Sequence, residues 1–191
     1  MKKIIAIAAV LVFALSAVPA FAGSTANVPI SASITSQLEL AATVYQGNVG
    51  GPVVTSMDFG ALVNDTPNGA LRADDFYTVF LTSNSSGRKY TVKETSSAPT
   101  NGTNSLEAGA CIVTPHANGA TLPTGSTLGT RGSFVATDKV IYTSEDAGSL
   151  QSVAAAFAIT NDPANGATEF IPADKQGGNY TSNATFTLTL V

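Results

Sequence analysis

The chain has 191 residues, 44% of them hydrophobic and only 12% charged, with a formal net charge of −4. Its few cations form no cluster, which argues against a nucleic-acid surface, and a single cysteine excludes an internal disulfide. Thr, Ser, Asn, Ala and Gly stand where a soluble monomer would carry charge, a composition suited to a surface packed against its own neighbours or to a secreted β-protein.

Residues 1–22 read as a secretory signal peptide: Lys2 and Lys3, an apolar run from Ile4 to Ala17, then Ala20-Phe21-Ala22 as an A-x-A cleavage site. The apolar run is short for a membrane span. Cleavage leaves 169 residues from Gly23, one domain's worth, with seven basic and thirteen acidic side chains and a net charge of −6.

Residues 23–36 form an N-terminal arm. In it Val28, Ile30, Ala32 and Ile34 alternate with Pro29, Ser31, Ser33 and Thr35, the period of a β-strand with one apolar edge. Ser36-Gln37 breaks the phase, and residues 37–191 form the domain. No helical stripe is present; short alternating segments between Gly, Asn, Pro and Ser clusters predict an all-β sandwich.

Leu38, Leu40, Ala42 and Val44 open the first core strand. Residues 53–59 predict a weaker strand, and 64–69 a loop dense in turn residues. Residues 76–83 are apolar on both faces, with Tyr77, Val79 and Leu81 on one side. Asn84-Ser85-Ser86-Gly87 predicts a turn, and 88–95 a returning strand with Tyr90 and Val92 inward and Lys89, Thr91 and Lys93 outward, the pair making a hairpin. Residues 96–105 form a polar loop, 110–114 a short strand carrying Cys111, and 115–132 a loop with little regular structure. Residues 134–143 predict one bent or two short strands. Residues 151–160 fit helix or strand; the β-branched ends and Asn161-Asp162-Pro163 favour strand. Residues 161–178 form a long loop. In the last segment Ala184, Phe186, Leu188 and Leu190 face one way and Asn183, Thr185, Thr187 and Thr189 the other.

With no strand following it, this last segment leaves an open sheet edge and a gap in the core, an aggregation hazard unless covered. The arm supplies a strand of matching length. Burying its three large apolar side chains and one alanine contributes roughly 5–8 kcal/mol. With only Ser36-Gln37 between arm and first core strand, insertion into a neighbouring copy is expected, and head-to-tail insertion that does not close builds a fibre.

Three segments carry a family likeness: V-P-I-S-A-S-I-T-S-Q-L-E-L at 28–40, Y-T-V-F-L-T-S-N-S-S-G-R-K-Y-T-V-K-E at 77–94, and G-N-Y-T-S-N-A-T-F-T-L-T-L at 178–190. In their order and terminal placement the chain resembles the major pilins of the alpha class of chaperone–usher fimbriae, the colonisation-factor type of Gram-negative bacteria. The resemblance implies an incomplete immunoglobulin-like sandwich. A periplasmic chaperone lends the missing strand, and the arm of the next subunit replaces it at an outer-membrane usher. It implies Val28, Ile30, Ala32 and Ile34 as the donor strand, and Leu38, Leu40, Phe186, Leu188 and Leu190 as the acceptor groove. The product is a homopolymer on the cell surface, exported through the periplasm, able to meet a host or abiotic surface.

Other chemistry is thin. Cys111 and His116, the only histidine, have no dictated geometry for a thiolate–imidazole pair, and no G-x-S-x-G elbow accompanies His116. Asp74-Asp75, Glu145-Asp146 and Asn161-Asp162 lack the spacing of a calcium loop. Lys139 and Lys175 are conceivable isopeptide donors that nothing in the sequence separates from surface lysines. Five Asn-x-Ser/Thr sequons, at Asn64, Asn84, Asn101, Asn179 and Asn183, read as chance in an Asn/Thr-rich chain. The expectation is a non-enzymatic protein without cofactor. The competing reading is a secreted β-sandwich adhesin or biofilm-matrix protein that binds a glycan or surface through loops 96–105 and 115–132, with Tyr45, Tyr142 or Tyr180 stacking on a sugar. A matrix fibre that exchanges strands without an usher lies between the two.

Overall fold

The computed structural model describes residues 38–65 and 69–191. The signal peptide and the arm with Val28, Ile30, Ala32 and Ile34 lie outside the described residues.

The described chain is all-β. A six-stranded sheet has the order β2-β1-β5-β11-β7-β9 and a four-stranded sheet the order β13-β6-β10-β8. In the first, β1 is Glu39–Gln46, β2 Val53–Val54, β5 Phe76–Asn84, β7 Cys111–His116, β9 Gly132–Ser133 and β11 Gln151–Ile159. In the second, β6 is Tyr90–Ser96, β8 Thr127–Leu128, β10 Ala136–Thr143 and β13 Ala184–Leu190. A small sheet of β3 (Val63–Asp65), β4 (Ala70–Arg72) and β12 (Ile171–Pro172) adds Leu71 and Ile171 to the core. Every pairing is antiparallel.

The two large sheets share one core, as the layers of a β-sandwich do. Val79, Leu81, Val113, Val153 and Phe157 from the first meet Tyr90, Val92, Ile141 and Tyr142 from the second. Period two explains most of this: Tyr77, Val79 and Leu81 are buried on one face of β5, and Val153, Ala155 and Phe157 on one face of β11. Residues 151–159 form a strand, as their β-branched ends predicted.

The expected hairpin of residues 76–95 is not formed. Both edges of β5 are taken, by β1 and β11, so the returning strand has no place beside it and crosses to the other sheet. Ser86 (φ 50°) and Gly87 (φ 99°) bend the chain there. The crossing is pinned where the Tyr90 hydroxyl donates to the Ser83 carbonyl at 3.0 Å.

Other boundaries shift. Of residues 53–59 only Val53–Val54 pairs; the chain then leaves the sheet and lays Phe59 edge-on against Tyr77, centroids 5.2 Å apart. Residues 64–69 are not all loop, since Asn64 and Asp65 pair with Leu71 and Ala70. Strand β7 runs on through Pro115 to His116. Its neighbour β9 pairs only at Ile112 and Val113, so Pro115 lies beyond that ladder, where a missing donor is tolerated. The loop of residues 115–132 also holds β8, paired to β10, and that of 161–178 holds a 3₁₀ turn at Pro163–Asn165 and β12.

Candidate functional site: an open groove between β1 and β13

On β1 the core face carries Leu40, Ala42 and Val44, paired with Ser83, Leu81 and Val79 of β5. The three β5 residues are at most 1% exposed, yet Ala42 is exposed and Leu40 and Val44 are half-buried. On β13 the core face carries Phe186, Leu188 and Leu190, paired with Glu94, Val92 and Tyr90 of β6. Again the β6 residues are wholly buried and the β13 residues only half-buried. Burial therefore fails at the same margin of both sheets. Strands β1 and β13 approach each other there, and among the described residues β13 pairs only with β6.

The Ser83–Tyr90 contact aligns the ends of the two strands. Through the sheet registers, Glu39 of β1 lies at the Leu190 end of β13 and Gln46 at the Ala184 end. Leu38, just ahead of β1, is 54% exposed at the groove mouth. At the opposite end a cavity of about 650 Å³ is lined by Met57, Phe59, Phe134, Phe157, Tyr180 and Ala184. The half-buried core faces of β1 and β13 make an apolar margin. Among the described residues the outer edge of β13 is unpaired and that of β1 pairs with β2 only at Val44 and Tyr45, which leaves residues 39–43 able to hydrogen-bond an extended segment. The structure brings Leu40, Phe186, Leu188 and Leu190 together against the core, with Leu38 at the rim.

One residue beside the groove escaped the sequence reading. Glu94 is 0% exposed, and neither carboxylate oxygen has a hydrogen-bond partner. Burial pushes its pKa up to about 7, against smaller opposing effects of the Ser96 hydroxyl and the Lys139 charge. Parity was the available signal: with Tyr90 and Val92 inward, position 94 points inward too.

The remaining candidates separate. Cys111 and His116 sit at an odd offset on β7 and so on opposite faces of the strand. Cys111 is fully buried, which raises its thiol to about 12, and His116 Nδ1 accepts from the Asn118 amide at 3.2 Å. Asp74, Asp75, Asn161 and Asp162 do line one pocket, but Asp74 pairs with Arg72 at 2.8 Å and Asp162 caps the turn of Pro163–Asn165. Glu145 accepts from the Ser149 amide at 2.9 Å and Asp146 pairs with Lys89 at 3.1 Å. No group of three His, Cys, Asp or Glu side chains among the described residues is placed to hold a metal ion. Lys175 pairs with Glu107 at 2.5 Å, while Lys139 Nζ lies beside Gly132. Tyr142 cannot stack on a sugar: it is wholly buried, 5.9 Å from the Tyr90 ring. Tyr45 is half-buried on β1, and the Tyr180 hydroxyl donates to the Gln176 carbonyl at 2.8 Å.

Comparison with family models, with curated proteins and with solved structures finds no match.

Proposed function

We propose that the chain is a structural subunit of an extracellular pilus or fimbria, polymerised head-to-tail by donor-strand exchange, with a role in adhesion or biofilm cohesion. The observation that carries this reading is the paired loss of burial on the core faces of β1 and β13, where Ala42 is exposed opposite a fully buried Leu81. A half-covered apolar margin of that kind suits an alternating apolar strand, and residues 28–34 have the alternation of one. In this reading the arm of one subunit lays Val28, Ile30, Ala32 and Ile34 between β1 and β13 of the next. That insertion completes an immunoglobulin-like sandwich. A periplasmic chaperone and an outer-membrane usher are the partners expected before assembly.

The test moves residues 24–36 to the C-terminus through a short linker. Self-complementation is expected to give a stable monomer that makes no fibres. A permuted protein that polymerises as the unaltered chain does would sink the reading.

A further inference from the structure

We propose that filling the groove between β1 and β13 is coupled to uptake of a proton from solvent by Glu94, so that assembly is favoured by acid. The inference rests on the strand-exchange reading above and adds a means of control to it.

Glu94 stands on β6 with its carboxylate inside the sandwich and both oxygens unpartnered. Its cross-strand neighbour on β13 is Phe186, a residue of the groove wall, only half-buried while the groove is open. Water thus lies about one side-chain layer from the carboxylate. The facing groups are few. Strand β10 offers Lys139, its register partner, which forms no ion pair with it. Strand β13 offers Phe186, which rests on Phe157 of β11 with centroids 6.1 Å apart. The Ser96 hydroxyl, a neighbouring donor, is 2.6 Å from the Phe134 carbonyl. Among the described residues no other charged group acts on the site.

An apolar strand laid over the half-buried Phe186 displaces water from the β13 side of this pocket. Removing nearby water disfavours the carboxylate and leaves the acid little changed. Glu94 already titrates near neutrality, at about 7, so its affinity for a proton rises further in the filled groove. The sign follows from linkage. Below both values the group is protonated throughout and assembly is indifferent to pH. Between them assembly takes up a proton, and its equilibrium constant falls by up to about tenfold per pH unit as pH rises.

The experiment measures the critical concentration for assembly of the full mature chain, by sedimentation, from about pH 5.5 to about 8.5, beside Glu94→Gln and Ile30→Asp. The unaltered chain is expected to need up to about tenfold more protein per pH unit above neutrality, and Glu94→Gln to show a flat profile. Equal slopes in the two overturn the coupling and leave strand exchange standing. Polymerisation of Ile30→Asp at the unaltered level overturns strand exchange and the coupling with it. Carboxyl-carbon NMR gives a readout without altering Glu94: its midpoint must lie higher in the fibre than in unassembled Ile30→Asp, and equal midpoints overturn the proposal.

Discussion

Phe186 of β13 meets Phe157 of β11 edge-on across the sandwich, ring centroids 6.1 Å apart and planes at 85°. The contact ties an edge strand of one sheet, none of whose residues is fully buried, to a fully buried residue of the other. Phe186→Ala should therefore cost about 2–3 kcal/mol in a urea titration, below the full range for a core phenylalanine because the site is already partly wetted. It should also weaken fibre formation by more than Thr187→Ala, whose side chain faces outward on the same strand.

Glu94 makes stability fall as pH rises. Below about pH 4.5 it is protonated in folded and unfolded chains alike and costs nothing. Between 4.5 and about 7 the unfolded chain releases the proton while the folded one holds it, so stability declines; above 7 the decline levels off. Glu94→Gln is expected to remove that slope and to stabilise the protein at pH 8 by up to about 3 kcal/mol, read as a higher urea midpoint at unchanged m-value.

Tyr90 joins the two sheets at the crossing from β5 to β6, its hydroxyl 3.0 Å from the Ser83 carbonyl and 3.2 Å from that of Ser149. Tyr90→Phe keeps the ring and deletes the donor, leaving buried acceptors short of a partner. The expected loss is about 1–2 kcal/mol by denaturant titration.

Cys111 should be inert in the folded protein. It is wholly buried and its thiol is raised to about 12, so little thiolate exists at pH 8. Ellman's reagent should label it only as denaturant opens the domain. Labelling at the rate of a free thiol without denaturant would contradict this burial.

Lys175 and Glu107 are 17% and 25% exposed in their side chains and 2.5 Å apart, with Glu107 Oε2 buried and unpartnered. Lys175→Met should destabilise by about 1–3 kcal/mol because it strands a mostly buried carboxylate. Salt should change the difference little, unlike that at the exposed Lys89–Asp146 pair.

Alternation made β1 and β13 legible in the sequence, although on β1 the exposure does not follow it, Ala42 being exposed on the core face. Strand β5 was legible from its apolar run and β11 from its β-branched ends. The shared core-facing parity of Leu38 and Leu40 on one strand, and of Phe186, Leu188 and Leu190 on the other, was legible from the same alternation, whereas a role as acceptor groove came only from the family resemblance. Their differing exposure was not legible, because it depends on where the opposite sheet stops. The hairpin expected of residues 76–95 failed for a related reason: a turn sequence reports that the chain bends, and the free edges of β5 decide where it goes next. Glu94 was passed over because charge usually marks a solvent face, whereas its parity with Tyr90 and Val92 pointed inward. The bulges in β10 likewise left Ile141 and Tyr142 both buried, against simple alternation.

The crossing at Ser83 and Tyr90 also bears on how the molecule comes to exist. Because β5 and β6 are not partners, β6 has no ladder to join until residues 136–143 and 184–190 have been synthesised. Remote pairings of this kind make a slow folder, on the order of milliseconds to seconds. During that wait a nascent chain holds β6 unzipped on both sides, the interval in which a chaperone's grip would matter most.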